Sequence, residues 1–413
     1  MTGPTATPPA PAPPPRALHA VLGASVALVG LLFLRSPGTS DVPLFMRWMD
    51  NIDRLGMVGG YAANQTVHPP VYAVIFWIIA KVADGLGVSH FVAFKVSLLL
   101  VWLLTGVCLW QWTRNSLTIA AVLLALIPNS LALGYFDIYL APPLLGALWA
   151  ARAQRWAAFS LSFALFALIK GQGLILIPFA VIFVSKAIKR GRGAAHGAAR
   201  IAVAATAPAA LIGILCLGLW GGAFISAVHL AMHNELLSGN ALNLGWILTH
   251  YLRSVRPELF GGLAADGTAQ WIAIPATHAL RMSMRVAFFT AYGAILLMYA
   301  RRGASLHDFV LYSLLGFLAY FTLNTGVHEN HLTYGALLAT VLFLIDVRYL
   351  PHAVICWLAA NANMILFYGL SGRGLGFSRV VGVDLALPFA CVNVLFFLVA
   401  VAPIFGRARR QSA

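Results

Sequence analysis

The sequence predicts an all-α polytopic membrane protein of about twelve transmembrane helices, and three observations carry that expectation. Of the 413 residues, 61% are hydrophobic and 9% charged, a balance that excludes a soluble two-domain protein. Apolar runs of about 20 residues, enough to cross ~30 Å of hydrocarbon as helix, recur from residue 17 to residue 405. The ten-residue alternating segments that a membrane β-barrel requires are absent.

Residues 1–16 hold seven prolines, cannot bury a core, and read as a disordered, polyproline-like cytoplasmic tail. The spans then fall near 17–34, 91–112, 116–134, 138–151, 156–169, 173–185, 199–220, 286–300, 308–325, 331–345, 352–370 and 385–405. The first is followed by Leu34-Arg35-Ser36-Pro37, which is no small-residue cleavage site, so it reads as a retained span. A main transmembrane region thus covers 17–345, with large loops at 35–90 and 221–285; residues 346–413 add the last helices and a basic tail.

Within the first loop, Leu44, Trp48, Ile52 and Leu55 recur at helical spacing, with Asp50, Asn51, Asp53 and Arg54 on the other side. That pattern suits an amphipathic helix lying in the membrane interface. The apolar run 71–83 is too short to span comfortably and is counted as interfacial; counting it as a span would invert every later loop. The 221–285 loop is too apolar for a linker and reads as interfacial helices capping one membrane face.

In a soluble protein, a net charge of +15 would suggest nucleic acid. Here the basic residues flank spans and report orientation instead. Placing the N-terminus inside puts fifteen of the 27 basic residues on the cytoplasmic face, with Asp308 and Asp346 the two acids there. Both termini are then cytoplasmic and the acidic, chemically active face points outward, as expected in a bacterial inner (plasma) membrane. The four cysteines (Cys108, Cys216, Cys356, Cys391) lie in apolar spans without C-x-x-C pairing and read as packing residues.

Candidate chemistry gathers at the outward ends of the spans. Asp41 stands directly after the first span, where a lipid-borne substrate would present its head group; it reads as a catalytic carboxylate or as a helix N-cap. Asp137, in Gly134-Tyr135-Phe136-Asp137, is a second interfacial acid, either functional or paired with an outer arginine. Lys170, before Gly171-Gln172, opposes the positive-inside bias and suits either an anionic ligand such as phosphate or simple snorkelling. In His328-Glu329-Asn330-His331 the histidines stand three apart, not in the four-residue spacing of a zinc H-E-x-x-H site. His328 can donate to a phosphate, and Glu329 can orient that imidazole or bind a sugar hydroxyl. His229 and His233 have the four-residue spacing but no evident third ligand, so no metal or other cofactor is expected. Arg281, Arg285, Arg373 and Arg379 are further outer cations, free for a lipid phosphate or paired with acids.

These clusters resemble, in order, the motifs of GT-C superfamily glycosyltransferases, most closely those using dolichyl- or polyprenyl-phosphate-linked glucose or mannose. An acid followed by tryptophan after the first helix matches Asp41 and Trp48; a carboxylate between the third and fourth helices matches Asp137. A lysine–glutamine loop before proline matches Lys170, Gln172 and Pro178, and a late His-Glu element matches His328-Glu329. The family's Asp-Tyr-Pro-Pro matches Val67-His68-Pro69-Pro70 in the prolines alone, so His68 stands where an acid is usual. The resemblance covers residues 17 to about 335. It implies a GT-C fold with interfacial helices in the first outer loop. It also implies a hexosyltransferase taking a polyprenyl-phosphate sugar donor to a lipid, glycan or protein acceptor on the outer face. Asp41 would be the inverting general base; Asp137, Lys170, Gln172, His328, Glu329, His68 and Trp48 would bind substrate and phosphate. A polytopic transporter or lipid flippase is the competing class. A transferase using a nucleotide sugar directly finds no cytoplasmic loop large enough for its domain.

Overall fold

Apolar, well-capped runs become helices and loop polarity decides where they stop. The computed structural model describes residues 16–190, 195–265, 267–372 and 384–411. The Pro-rich tail before residue 16, Arg192, Arg373 and Arg379 fall outside these. In chain order the helices are α1 (Arg16–Leu32), α2 (Asp41–Asn64), α3 (Val71–Leu86), α4 (His90–Trp110), α5 (Ser116–Leu126), α6 (Ala141–Arg152), α7 (Trp156–Ile169), α8 (Ile177–Arg190) and α9 (Ala195–Met232). Then follow α10 (Leu244–Val255), α11 (Pro257–Phe260), α12 (His278–Ala300), α13 (Leu306–Leu323), α14 (Leu332–Ile345), α15 (Leu350–Tyr368) and α16 (Ala386–Gln411). No strand occurs among the described residues, so the chain is an all-α polytopic protein. Seven helical segments are long and apolar enough to cross a membrane, and four shorter apolar ones accompany them.

Local chemistry sets the boundaries. Ser89 accepts a hydrogen bond from Val92 N at the start of α4, Asn115 from Leu117 and Thr118 N at α5, and Ser305 from Asp308 N at α13. Gly87, with φ 63°, closes α3 in the left-handed region. A straight helix of the 38 residues of α9 would measure about 57 Å, more than a bilayer core needs; it breaks direction at Gly221 (φ 25°).

The interfacial-helix expectation needs one correction. α2 is longer than the 44–55 stripe and runs past a break at Gly56. Its buried face is Val42, Phe45, Trp48, Met49 and Ile52, while Leu55 is left exposed. Phe45 accounts for the rotation: it packs among Trp48, Phe76, Phe94 and Phe136, with ring centroids 5.0–6.4 Å away. α3 folds back on α2, so segment 71–83 belongs to a helical hairpin.

α14 is buried on every face from Leu332 to Leu342 and forms the centre of the bundle with α13. The end of the bundle where α13 gives way to α14 also holds the loops after α1, α2, α5, α7 and α9. Its opposite end carries the basic loops, where Arg190 donates to Ala304 O and Arg348 pairs with Asp346 at 2.6 Å.

The 233–243 segment is sewn into the first of these ends. Its Leu242 peptide is gripped by two buried asparagines: Leu242 N donates to Asn363 Oδ1 (2.7 Å), and Asn393 Nδ2 donates to Leu242 O (2.8 Å). Asn243 Nδ2 donates to Phe321 O at 2.8 Å and the same side chain caps α10. Arg285 of α12 ties the segment's start through the carbonyls of Met232 and Asn234. Replacing Asn363 by Leu would strand a buried N–H at a cost of about 1–3 kcal/mol. A lower melting temperature of the purified protein is the expected outcome, and an unchanged one would contradict the clamp.

Candidate functional site

Asp41 owes its position to the C-terminal end of α5. There a π-turn over Pro128–Ala132 leaves three successive carbonyls free of helix partners. Lys95 Nζ donates to Leu131 O, Ser36 Oγ to Ala132 O (2.6 Å), and Thr39 N to Leu133 O (3.0 Å). The loop after α1 is thereby laid on α5. Gly38 has φ 76°, and a Cβ there would sit 2.6 Å from Leu133 O, so only glycine allows the approach. Asp41 follows as the first helical residue of α2. Ser40 holds the cap position without a side-chain bond, and the Asp41 carboxylate accepts no hydrogen bond among the described residues. The N-cap alternative is therefore not realised. Half-buried, this free carboxylate is pushed above its ordinary value by loss of water; Lys170 pulls it back and the charge of Asp137 pushes it up.

Asp137 is treated oppositely. It is 2% exposed and receives Lys170 Nζ on both oxygens (2.9 and 2.8 Å), Asn330 Nδ2 at 3.1 Å and the Tyr334 hydroxyl. The partner is a lysine rather than the outer arginine weighed from sequence. Lys170 emerges in extended conformation as α7 ends, 4% exposed, its ammonium 5.3 Å from the centre of the Phe136 ring. Lys170 therefore reaches this end with its charge already met by Asp137.

The His328–His331 segment closes the far side. Gly239 N donates to Val327 O (2.8 Å), and a Cβ on Gly239 would lie 2.6 Å from His328 Nδ1, so this glycine fixes the imidazole's place. His328 Nδ1 stands 4.0 Å from Glu329 Oε2, and Tyr135 donates to Glu329 Oε1 at 2.6 Å. Burial, helped by Lys170, holds the His328 imidazole below its usual value and hence neutral. Gln172 meets His331 Nε2 at 2.6 Å, and Tyr320 meets its Nδ1 at 3.0 Å.

His68 enters from the loop between α2 and α3. Tyr61 donates to its carbonyl (2.8 Å), its N–H goes to Thr66 Oγ1 (3.1 Å), and its ring packs edge-on against Phe136 (5.2 Å) and Trp48 (5.7 Å). Burial, then Lys170 and His328, keep it well below the ordinary histidine value. Trp48 is buried and serves as a wall of the site.

All eight sequence-derived site residues thus meet at one end of the bundle. Sequence reasoning passed over Tyr135, Asn330 and Tyr334 although they stand inside or beside its motifs. It also passed over Gly239 and the buried Lys95, which carry no motif at all. Arg281 is 4.0 Å from Glu235 and bonded to Thr277, so of its two readings it takes the one paired with an acid. His229 and His233 stack at 4.0 Å, with His233 Nδ1 turned to the His229 carbonyl, not to a shared ligand position. Asp53, Asp84 and His90 lie close enough to share a cation, but Lys81 already bridges the two acids at 2.5 and 3.1 Å. A cavity of about 360 Å³ between the end of α2 and α9 contains none of the charged residues of the site. No known protein family matches the chain, and no curated protein matches it either.

The ion pair makes a sharp forecast. Asp137→Asn leaves a buried lysine without its counter-charge and should cost about 3–5 kcal/mol, whereas Asp137→Asn with Lys170→Met should recover most of it. Thermal unfolding of the four proteins of this cycle measures the coupling. A double variant as unstable as the single one would contradict it.

Proposed function

We propose that this protein is a membrane glycosyltransferase moving a hexose from a polyprenyl-phosphate sugar to an acceptor hydroxyl. The observation that carries the reading is the unpaired, half-buried carboxylate of Asp41, within electrostatic reach of Lys170 and Asp137, at the end of an apolar helical bundle. In this account the chain spans the bilayer about twelve times with both termini in the cytoplasm, and the Asp41 end faces outward. The polyprenyl chain lies in the bilayer and its phosphate rests near Lys170 and His328. Asp41 takes the proton of the acceptor hydroxyl, whose oxygen attacks the anomeric carbon from the side opposite the phosphate, with inversion. Raising the Asp41 pKa by burial strengthens it as a base. Lys170, with its charge shared with Asp137, orients the phosphate and offsets its developing charge. A transporter would set its polar groups near mid-bilayer on broken helices; here they gather at one end, which favours the enzyme.

Two experiments test this reading. In a cysteine-free background, Glu235→Cys should be labelled by an impermeant reagent from outside and Ser305→Cys should not; the reverse pattern would overturn the orientation. Asp41→Asn preserves shape and removes basicity. It should lower turnover of a short-chain polyprenyl-phosphate hexose by about 10²-fold or more while donor binding is largely kept. Near-full transfer by this variant would remove Asp41 from the base role.

A further inference from the structure

Glu329 is a buried acid at this end that the scheme above leaves without a step. It is 3% exposed. Its carboxyl receives the Tyr135 phenol at 2.6 Å on Oε1 and bonds to its own backbone N–H, while Oε2 faces His328 Nδ1 at 4.0 Å. Among the described residues no lysine or arginine comes within 4.0 Å of it, and Lys170 pairs with Asp137 instead. Two acids therefore lie a few residues' reach apart with opposite provision. Asp137 has a cation and two further donors, whereas Glu329 has a phenol and a neutral histidine. An ionised carboxylate so poorly matched and so deeply buried is costly, and the acid form is the natural resident. Asp41, only half-buried and accepting no hydrogen bond among the described residues, is the natural carboxylate.

Resting on the glycosyl-transfer reading, we propose that Glu329 supplies, through the His328 imidazole, the proton that the departing phosphate takes up while Asp41 removes the acceptor's proton. The step balances. The acceptor O–H bond breaks and its proton goes to Asp41; the oxygen bonds to the anomeric carbon as the bond from that carbon to the phosphate oxygen breaks, its electron pair staying on the phosphate. His328 gives its Nε2 proton to that phosphate oxygen and takes the Glu329 proton at Nδ1 as Oε2 closes on it from 4.0 Å to hydrogen-bond distance in the substrate complex. On product release Asp41 loses a proton to water and Glu329 regains one, so the enzyme returns to its starting charge. Glu329 acts through His328 and is a proton source rather than a group touching substrate.

The groups facing Glu329 come from several elements: Asp41 of α2, Tyr135 ahead of α6, Lys170 at the end of α7, His328 beside it, and Tyr368 of α15. Burial dominates and pushes the Glu329 carboxyl up to about 7; Asp41 adds to that, while the Tyr135 hydrogen bond, its own N–H and Lys170 pull it down. Because the proton must be present, activity is retained below that value and lost as pH rises through it.

The test is the pH profile of turnover of a short-chain polyprenyl-phosphate glucose by the full-length protein. The wild type should lose rate about tenfold per pH unit above about 7. Glu329→Gln, which keeps shape and the bond from Tyr135, should be slower by about 10²-fold and lack that alkaline limb. Tyr135→Phe removes a donor that favours the carboxylate, so its limb should move to higher pH; a purely structural role for either residue would not move the limb. An infrared carboxylic-acid band, present at pH 6 and absent from Glu329→Gln, would report the stored proton without any turnover. A wild-type rate level to pH 9, a limb surviving in Glu329→Gln, or no such band with transfer intact would each overturn the proposal and leave the transfer reading standing. Failure to turn over any polyprenyl-phosphate hexose would remove both.

Discussion

Burying Asp137 and Lys170 would cost several kcal/mol for each ion if either stood alone. Together, at 2.8 Å and with Asn330 and Tyr334 completing the carboxylate, they are tolerated, and the geometry they impose organises everything around them. The pair joins the loop ahead of α6 to the end of α7 and, through Asn330 and Tyr334, to the start of α14. α14 is the helix buried on all faces, so the ion pair fastens the surrounding helices to the one that cannot move independently. The same contact brings Tyr135 and Phe136, two and one residues earlier, to Glu329 and His68.

Three acids at one end of a bundle thereby come to differ in character without differing in chemistry. Asp137 is saturated with donors and belongs to the scaffold. Glu329 is buried against a phenol and an imidazole. Asp41, presented by a loop laid over the carbonyl end of α5, keeps its carboxylate free. Environment sorts these roles, as it does wherever neighbouring carboxyls are pushed apart in basicity. The price of presenting Asp41 freely falls on its supports: a glycine at φ 76°, and a lysine buried inside α4 to satisfy one helix-end carbonyl. Lys95 fits a general pattern in which cations settle at helix C-termini.

Much of this was legible in the chain, because apolar length and charge placement are one-dimensional signals. Each run expected to be helical contains a helix, although the α-helix in 116–134 ends at Leu126, that in 173–185 starts only at Ile177, α9 runs on to Met232 and α12 starts at His278. Polarity after a span pointed to Asp41, Asp137, Lys170 and His328-Glu329, and these residues do assemble. Which of them touch was not legible. The partner of Asp137 lies 33 residues away in Lys170, and its hydroxyl donor 197 away in Tyr334. The 233–243 segment was opaque for the same reason: Leu242 is held by asparagines 121 and 151 residues distant, and Gly239 shapes His328 by lacking a side chain. The rotated face of α2 reflects packing by Phe45, which a simple count of apolar spacing does not weigh.

The central claim is that the Asp41 end of the bundle is a binding site for a lipid-borne phosphate. A density map of the full-length protein with a short-chain polyprenyl phosphate in a lipid disc tests it most directly. The account predicts a phosphate beside Lys170 and His328, with Asp41 facing the space where the sugar would stand and the chain leading into the bilayer. A phosphate bound instead at the basic loops around Arg190 and Arg302, or a lipid found only along the outside of the helices, would contradict it.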